Sequence, residues 1–121
     1  IENVNSSSDP ENVSIFAQKR EAKRVLFLLV TSNRGLAGAF NTNVVKELNH
    51  QLHNRENQEI EILTIGKKGY DAVRRIKTVF DNQSNIFDSL NFEVVAQIAE
   101  NVMRDFRDGK FDEVHLIYNK L

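Results

Sequence analysis

Ser32, Arg34, Gly35 and Gly38 follow directly on the apolar run Val25–Val30, and a strand that empties into a glycine turn opening a helix is where backbone N–H groups and the helix dipole can hold a phosphate. Phosphate binding is therefore the first chemistry to weigh. A P-loop needs G-x-x-x-x-G-K-S/T, with a lysine for the phosphates and a hydroxyl for magnesium, whereas Gly35 and Gly38 lead into Ala39-Phe40-Asn41. The lysine is absent. A dinucleotide site needs three glycines and an acid closing the second strand, but the second apolar run closes on Thr64-Ile65-Gly66. The turn reads better as a packing device, with Gly35 supplying a positive φ and Gly38 and Ala39 letting the helix approach the strand closely. No cofactor is expected.

Other candidate chemistry is weaker. Ser32, just past a strand end, lacks the G-x-S-x-G frame of a nucleophile elbow and has no suggested histidine–acid pair. His50 and His53, at i and i+3 of one helix, are close enough to share a metal but lack a third ligand nearby, and both point away from that helix's apolar stripe. They read as exposed polar residues. His115, between Val114 and Leu116, reads as a hydrogen-bonded buried or edge residue. The basic residues Lys19, Arg20, Lys23 and Arg24 could grip an acidic partner, as could Arg34, which could otherwise anchor its own turn to a carbonyl.

The elements that must position these residues follow from periodicity. A continuous apolar run suits a strand buried on both faces, so the first strand is placed at Val25–Thr31. Val44, Val45, Leu48 and Leu52 recur at helical spacing, which predicts a helix from about Thr42 to Arg55 with Asn41 as N-cap. Ile60–Ile65 is a second strand, and Gly66-Lys67-Lys68-Gly69 turns it into a short helix carrying Tyr70, Val73 and Ile76. Thr78-Val79-Phe80 is a short third strand at an edge. Val95, Ile98, Ala99, Val102 and Phe106 mark a further amphipathic helix, capped near Asn91 and ended by Asp108-Gly109, and Val114–Tyr118 is the last strand. Alternating strands and helices imply an α/β three-layer sandwich around a mostly parallel sheet of about four strands, in the order 3-2-1-4.

Residues 1–24 are expected to form a polar arm around Ser6-Ser7-Ser8-Asp9-Pro10, in which Asp9-Pro10-Glu11 could start a short helix reaching Ala17. The globular domain is placed at 25–121. The chain stops where a strand of this architecture would feed another helix, so it reads as a domain excised from a longer polypeptide. With 16 basic and 17 acidic residues in 121, the net charge of −1 offers no field to recruit nucleic acid or an anionic membrane surface. The absence of cysteine excludes disulfides, thiolate metal sites and thiol nucleophiles. No run approaches the ~20 apolar residues of a membrane helix, so direct membrane insertion is not expected.

Three ordered blocks then carry a resemblance. Thr31-Ser32-Asn33-Arg34-Gly35-Leu36-Ala37-Gly38-Ala39-Phe40-Asn41 is similar to the TSDRGLCGGLN-like segment of the ATP synthase gamma-subunit family. Ile65-Gly66-Lys67-Lys68-Gly69 resembles that family's GRKG turn, and Gly109-Lys110-Phe111-Asp112-Glu113-Val114-His115-Leu116-Ile117-Tyr118-Asn119-Lys120 resembles its final strand, G-x-F/Y-D-x-V-x-L/I-I/V-Y-N-x-F. Asn33 and Ala37 depart from the family's aspartate and cysteine, so a role resting on that charge or thiol does not transfer. The resemblance implies the Rossmann-like globular domain of the rotor stalk in the extrinsic CF(1) sector, without the family's long coiled-coil helices. It implies a non-catalytic part in ATP synthesis driven by proton or sodium transport. Partners would be the alpha-beta hexamer, an epsilon-type subunit and the membrane c-ring. The place implied is peripheral, on the cytoplasmic face of a bacterial plasma membrane or the mitochondrial matrix face. Within the first block, Thr31, Ser32, Asn33, Arg34, Gly35, Leu36, Gly38 and Asn41 are the motif residues. The alternatives are an independent nucleotide- or phosphate-binding α/β domain, or a general α/β interaction module.

Overall fold

The computed structural model describes residues 10–17, 23–31, 38–53, 55–74, 79–82 and 92–119. β2 (Arg24–Val30) is the centre of the sheet, and its unbroken apolar sequence is explained by helices on both faces. Val25, Phe27 and Leu29 pack with Val44 and Leu48 of α1 (Gly38–Leu52), with Val73 of α2 (Lys67–Val73), and with Ile62 and Ile117. Leu26 and Leu28 face the other way and pack with Val102, Ile98 and Phe106 of α3 (Phe92–Arg107) and with Leu63, Phe111 and Val114. The result is a helix–sheet–helix sandwich.

β2 pairs in parallel with β3 (Glu59–Ile65) on one side and with β5 (Glu113–Asn119) on the other, while β4 (Val79–Asn82) runs parallel to β3 at an edge. The four expected strands thus stand in the expected relative order. The sheet differs by a fifth, β1 (Pro10–Ala17), which pairs antiparallel with β5 and gives the order β1-β5-β2-β3-β4. This corrects the reading of Asp9-Pro10-Glu11 as the start of a helix reaching Ala17. The β-branched Val13 and Ile15 suit a strand, and an edge tolerates Pro10, whose missing N–H interrupts nothing at a strand's first position.

Two helix boundaries also differ. α1 starts at Gly38, so Asn41 lies inside the helix and is not its N-cap, and it ends at Leu52 rather than Arg55. The stripe read from the sequence runs from Val44 onward and so does not mark the first turn. α3 stops at Arg107, and Gly109 follows at φ +83, the left-handed conformation that a glycine after a helix adopts at little cost. The cap expected near Asn91, and Ile76 of the second helix, lie outside the described residues.

Candidate functional site

The end of β2 meets the start of α2 at a junction built on Thr31. Thr31, fully buried, donates its N–H to Ile65 O at 2.8 Å, and its Oγ1 accepts the N–H of Gly69 at 2.8 Å. Gly66, at φ +114, sits so close that an added Cβ would lie 2.0 Å from the Thr31 carbonyl oxygen. At Gly69 the added atom would meet Thr31 Oγ1 at 2.9 Å. These are the glycines of the Gly66-Lys67-Lys68-Gly69 turn, so close backbone approach is realised there. The sequence assigned it to Gly38 and Ala39, which are the first two residues of α1, and gave a positive φ to Gly35, which lies outside the described residues. Thr31→Val keeps the shape of the side chain and orphans the Gly69 N–H, and is expected to lower unfolding free energy by about 1–2 kcal/mol in chemical denaturation.

A second clamp joins the beginnings of β2 and β5. Asp112, 4 % exposed, accepts the N–H groups of Lys23 and Arg24 through Oδ2 at 2.9 and 3.0 Å, and its own N–H donates to Arg24 O at 2.7 Å. One carboxylate therefore ties two segments nearly ninety residues apart. Phe111 beside it is fully buried in the cluster under α3, which gives both Phe111 and Asp112 of the Gly109-Lys110-Phe111-Asp112 block a physical reason. Arg24, an exposed residue, donates from Nη2 to Gly109 O at 3.0 Å and so satisfies a carbonyl past the end of α3.

Below α1 lies a polar cluster that the sequence did not announce. Arg55 donates from Nε to Gln51 O and from Nη1 to Gln58 Oε1, both at 2.9 Å, reaches Glu113 Oε1 at 3.5 Å, and lies 5.4 Å from the Phe27 ring centre. Glu113 in turn holds His115 Nε2 at 2.7 Å, while the His115 ring stacks on Phe27 at 5.2 Å. His115 is buried, as its place on the last strand suggested. His50 and His53, both exposed, line an open cleft of about 480 Å³ with Gln51, Arg55, Gln58 and Glu113. Among the described residues no group of three or more His, Asp or Glu is arranged to hold a metal. The cleft mixes both signs of charge, and Arg55 and Glu113 already answer each other across it.

Of the residues singled out in the sequence, the structure brings Thr31, Lys23 and Arg24 into these junctions and places Gly38 and Asn41 in the first turns of α1. Ser32, Asn33, Arg34, Gly35, Leu36, Lys19 and Arg20 lie outside the described residues. Lys23 and Arg24 sit at the N-terminal end of β2, whereas Thr31 and the glycine turn sit at the opposite end, so these motif residues and basic residues do not form one site. Asp112, Arg55 and Glu113 were missed as structural anchors because the contacts that join them to other elements, Asp112 to Lys23 and Arg24 and Arg55 to Glu113, are non-local, and only the family block around Phe111-Asp112 pointed towards one of them.

Comparison with known proteins identifies the family. A family model described as ATP synthase matches residues 1–121. The ATP synthase gamma chain of Flavobacterium psychrophilum is 40 % identical over 120 residues, which take in 99 % of this chain and 42 % of that relative. The ATP synthase gamma chains of Flavobacterium johnsoniae and Christiangramia forsetii are 38 % and 37 % identical, each over 99 % of this chain and 42 % of their own length. The chain thus spans well under half the length of the curated relatives it matches. On the match along its whole length, the chain belongs to the ATP synthase gamma-subunit family.

Proposed function

We propose that the domain is a non-catalytic part of a rotary ATP synthase, a stiff element of the central stalk that passes torque between the ion-driven membrane ring and the catalytic alpha-beta hexamer. The observation that carries this reading is the unbroken match of residues 1–121 to the family, with gamma chains as relatives. The packing supports a mechanical role. Both faces of the central strand are covered by buried apolar side chains, and close-packed protein interiors yield little under load. The junctions at Thr31 and Asp112 tie strand ends to neighbouring elements, so force entering at one edge of the sheet is shared across it.

Partners in this reading are the alpha-beta hexamer, an epsilon-type subunit and the c-ring, met peripherally at the cytoplasmic face of a bacterial plasma membrane or its mitochondrial matrix counterpart. No described helix is long and apolar enough to cross a membrane. Arg34, Lys19, Arg20, Lys23 and Arg24 are the candidate partner contacts, and Ser32, Asn33, Gly35 and Leu36 shape the turn without holding a ligand. Calorimetric titration of the full-length gamma chain with ATP, ADP and NAD tests this against an independent nucleotide-binding domain. The expected result is no saturable heat; stoichiometric micromolar binding would overturn it.

A further inference from the structure

Two buried side-chain atoms among the described residues have no hydrogen-bond partner, Asn12 Oδ1 and His115 Nδ1. They belong to one neighbourhood. Ile117 and Phe27 pack on the α1 face of the sheet; Asn12 pairs with Ile117 in the β1–β5 ladder and His115 pairs with Phe27 in the β2–β5 ladder, so Asn12 and His115 lie on that same face. On adjacent strands they are diagonal neighbours, with β-carbons on the order of 7 Å apart, a span that side chains of this length can bridge. Buried polar atoms are nearly always paired, so two orphans side by side need a reason. Glu113, which meets Arg55 at 3.5 Å, is a carboxylate and only accepts, so His115 Nε2, 2.7 Å from it, carries the hydrogen. Nδ1 of the neutral ring is then a lone pair, and Asn12 Oδ1 also offers only lone pairs. Two acceptors cannot bond. A proton added at Nδ1 makes it a donor and the two atoms complementary, while Nε2 keeps its bond to Glu113.

We propose that His115 is a proton-operated latch on β1: a proton on Nδ1 is donated to Asn12 Oδ1 and fastens this strand to β5, and its loss loosens the strand. β1 is the element such a latch can move, because it stands at the end of the sheet with β5 as its one strand neighbour among the described residues. The charged and titratable groups around His115 come from three places. β5 supplies Glu113, the turn after α1 supplies Arg55, and α1 supplies Glu47, which is bonded to Gln51, and His50 and His53, which line the cleft that Glu113 also borders. β2 contributes the Phe27 ring, stacked at 5.2 Å, and β1 contributes the uncharged Asn12 and the exposed Ser14 opposite His115. Glu113 attracts an added proton, whereas Arg55 and the two α1 histidines, when charged, repel it. Repulsion alone would loosen this corner as pH falls, and the latch does the reverse. Because the added proton finds its acceptor only with β1 in place, β1 is held most tightly below the range in which imidazoles titrate and is released as pH rises through it.

The test measures hydrogen exchange of residues 10–17 in the full-length gamma chain at about pH 5.5 and about pH 8, each rate divided by that of the unstructured sequence at the same pH so that only strand opening is read. In the wild type, protection of β1 relative to β3 is expected to be about tenfold greater at the lower pH, as a charge-assisted bond made only there would give. Asn12→Ala should match the wild type at the higher pH, where its oxygen has no partner, and lose the gain at the lower one. His115→Gln should lose the gain as well. Asn12 is only partly buried and lies on an edge strand, so its variant decides the matter even where His115→Gln does not fold. Protection that does not change with pH overturns the proposal, as does a gain that survives Asn12→Ala. Loosening at low pH also overturns it, since that is the sign of repulsion from His50 and His53, or of an Asn12 amide turned so that it donates to a neutral Nδ1.

Discussion

Gly66→Ala is expected to lower the stability of the domain by about 4 kcal/mol or more, because the new methyl meets a strain and a collision together. The strain is the backbone at φ +114, which L side chains rarely adopt, and the collision is with the Thr31 carbonyl carbon and oxygen at 2.6 and 2.0 Å. Neither partner is a flexible side chain. Relief would require α2 to lift from the end of β2, breaking the Gly69 N–H to Thr31 Oγ1 bond and withdrawing Val73 from the core. Gly109→Ala provides the contrast, since its φ is +83 but nothing lies within 4 Å of the added atom. It should lose only about 1 kcal/mol, the conformational term alone. Thermal unfolding followed by circular dichroism reads both, and similar melting temperatures for the two variants would show that the approach at Thr31 is not a real constraint.

Asp112→Ala should remove about 3 kcal/mol, or roughly 10 °C of melting temperature for a domain of this size. The loss has a specific origin. Two backbone N–H groups, of Lys23 and Arg24, would lose the carboxylate that accepts both, and the residue that held them is itself buried. Asp112→Asn retains one oxygen in nearly the same place and should lose less, because what goes is the charge assistance and not the acceptor. Hydrogen exchange localises the effect: faster exchange at Lys23 and Arg24 is expected in the alanine variant. Unchanged exchange there would mean that water replaces the carboxylate without penalty.

The parts of this fold legible in the sequence are those dictated by local periodicity. Val25–Val30 announced a doubly covered strand by being apolar at every position, and Val44, Leu48 and Leu52 announced the buried stripe of α1. β1 was not legible, because Val13, Ile15 and Phe16 sit in a polar neighbourhood behind a proline and become a strand only when β5, about a hundred residues later, offers its edge. Glycine roles were legible in kind but not in place. The sequence showed that a strand-to-helix turn would need close approach, yet only the three-dimensional pairing of β2 with β3 reveals that Gly66 and Gly69 lie against Thr31. The Arg55, Glu113 and His115 cluster is likewise a product of pairing, since Arg55 closes the end of α1 while Glu113 opens β5. No local pattern joins residues that far apart.

The most direct test of the mechanical reading compares two rates in inverted membrane vesicles holding equal amounts of assembled ATP synthase, with wild-type or Asp112→Ala gamma chain. If the domain only transmits torque, loosening it should lower ion pumping per ATP hydrolysed while ATP hydrolysis itself is largely kept. A loss of hydrolysis in step with pumping, at an unchanged ratio, would contradict the account and place the domain within the catalytic machinery.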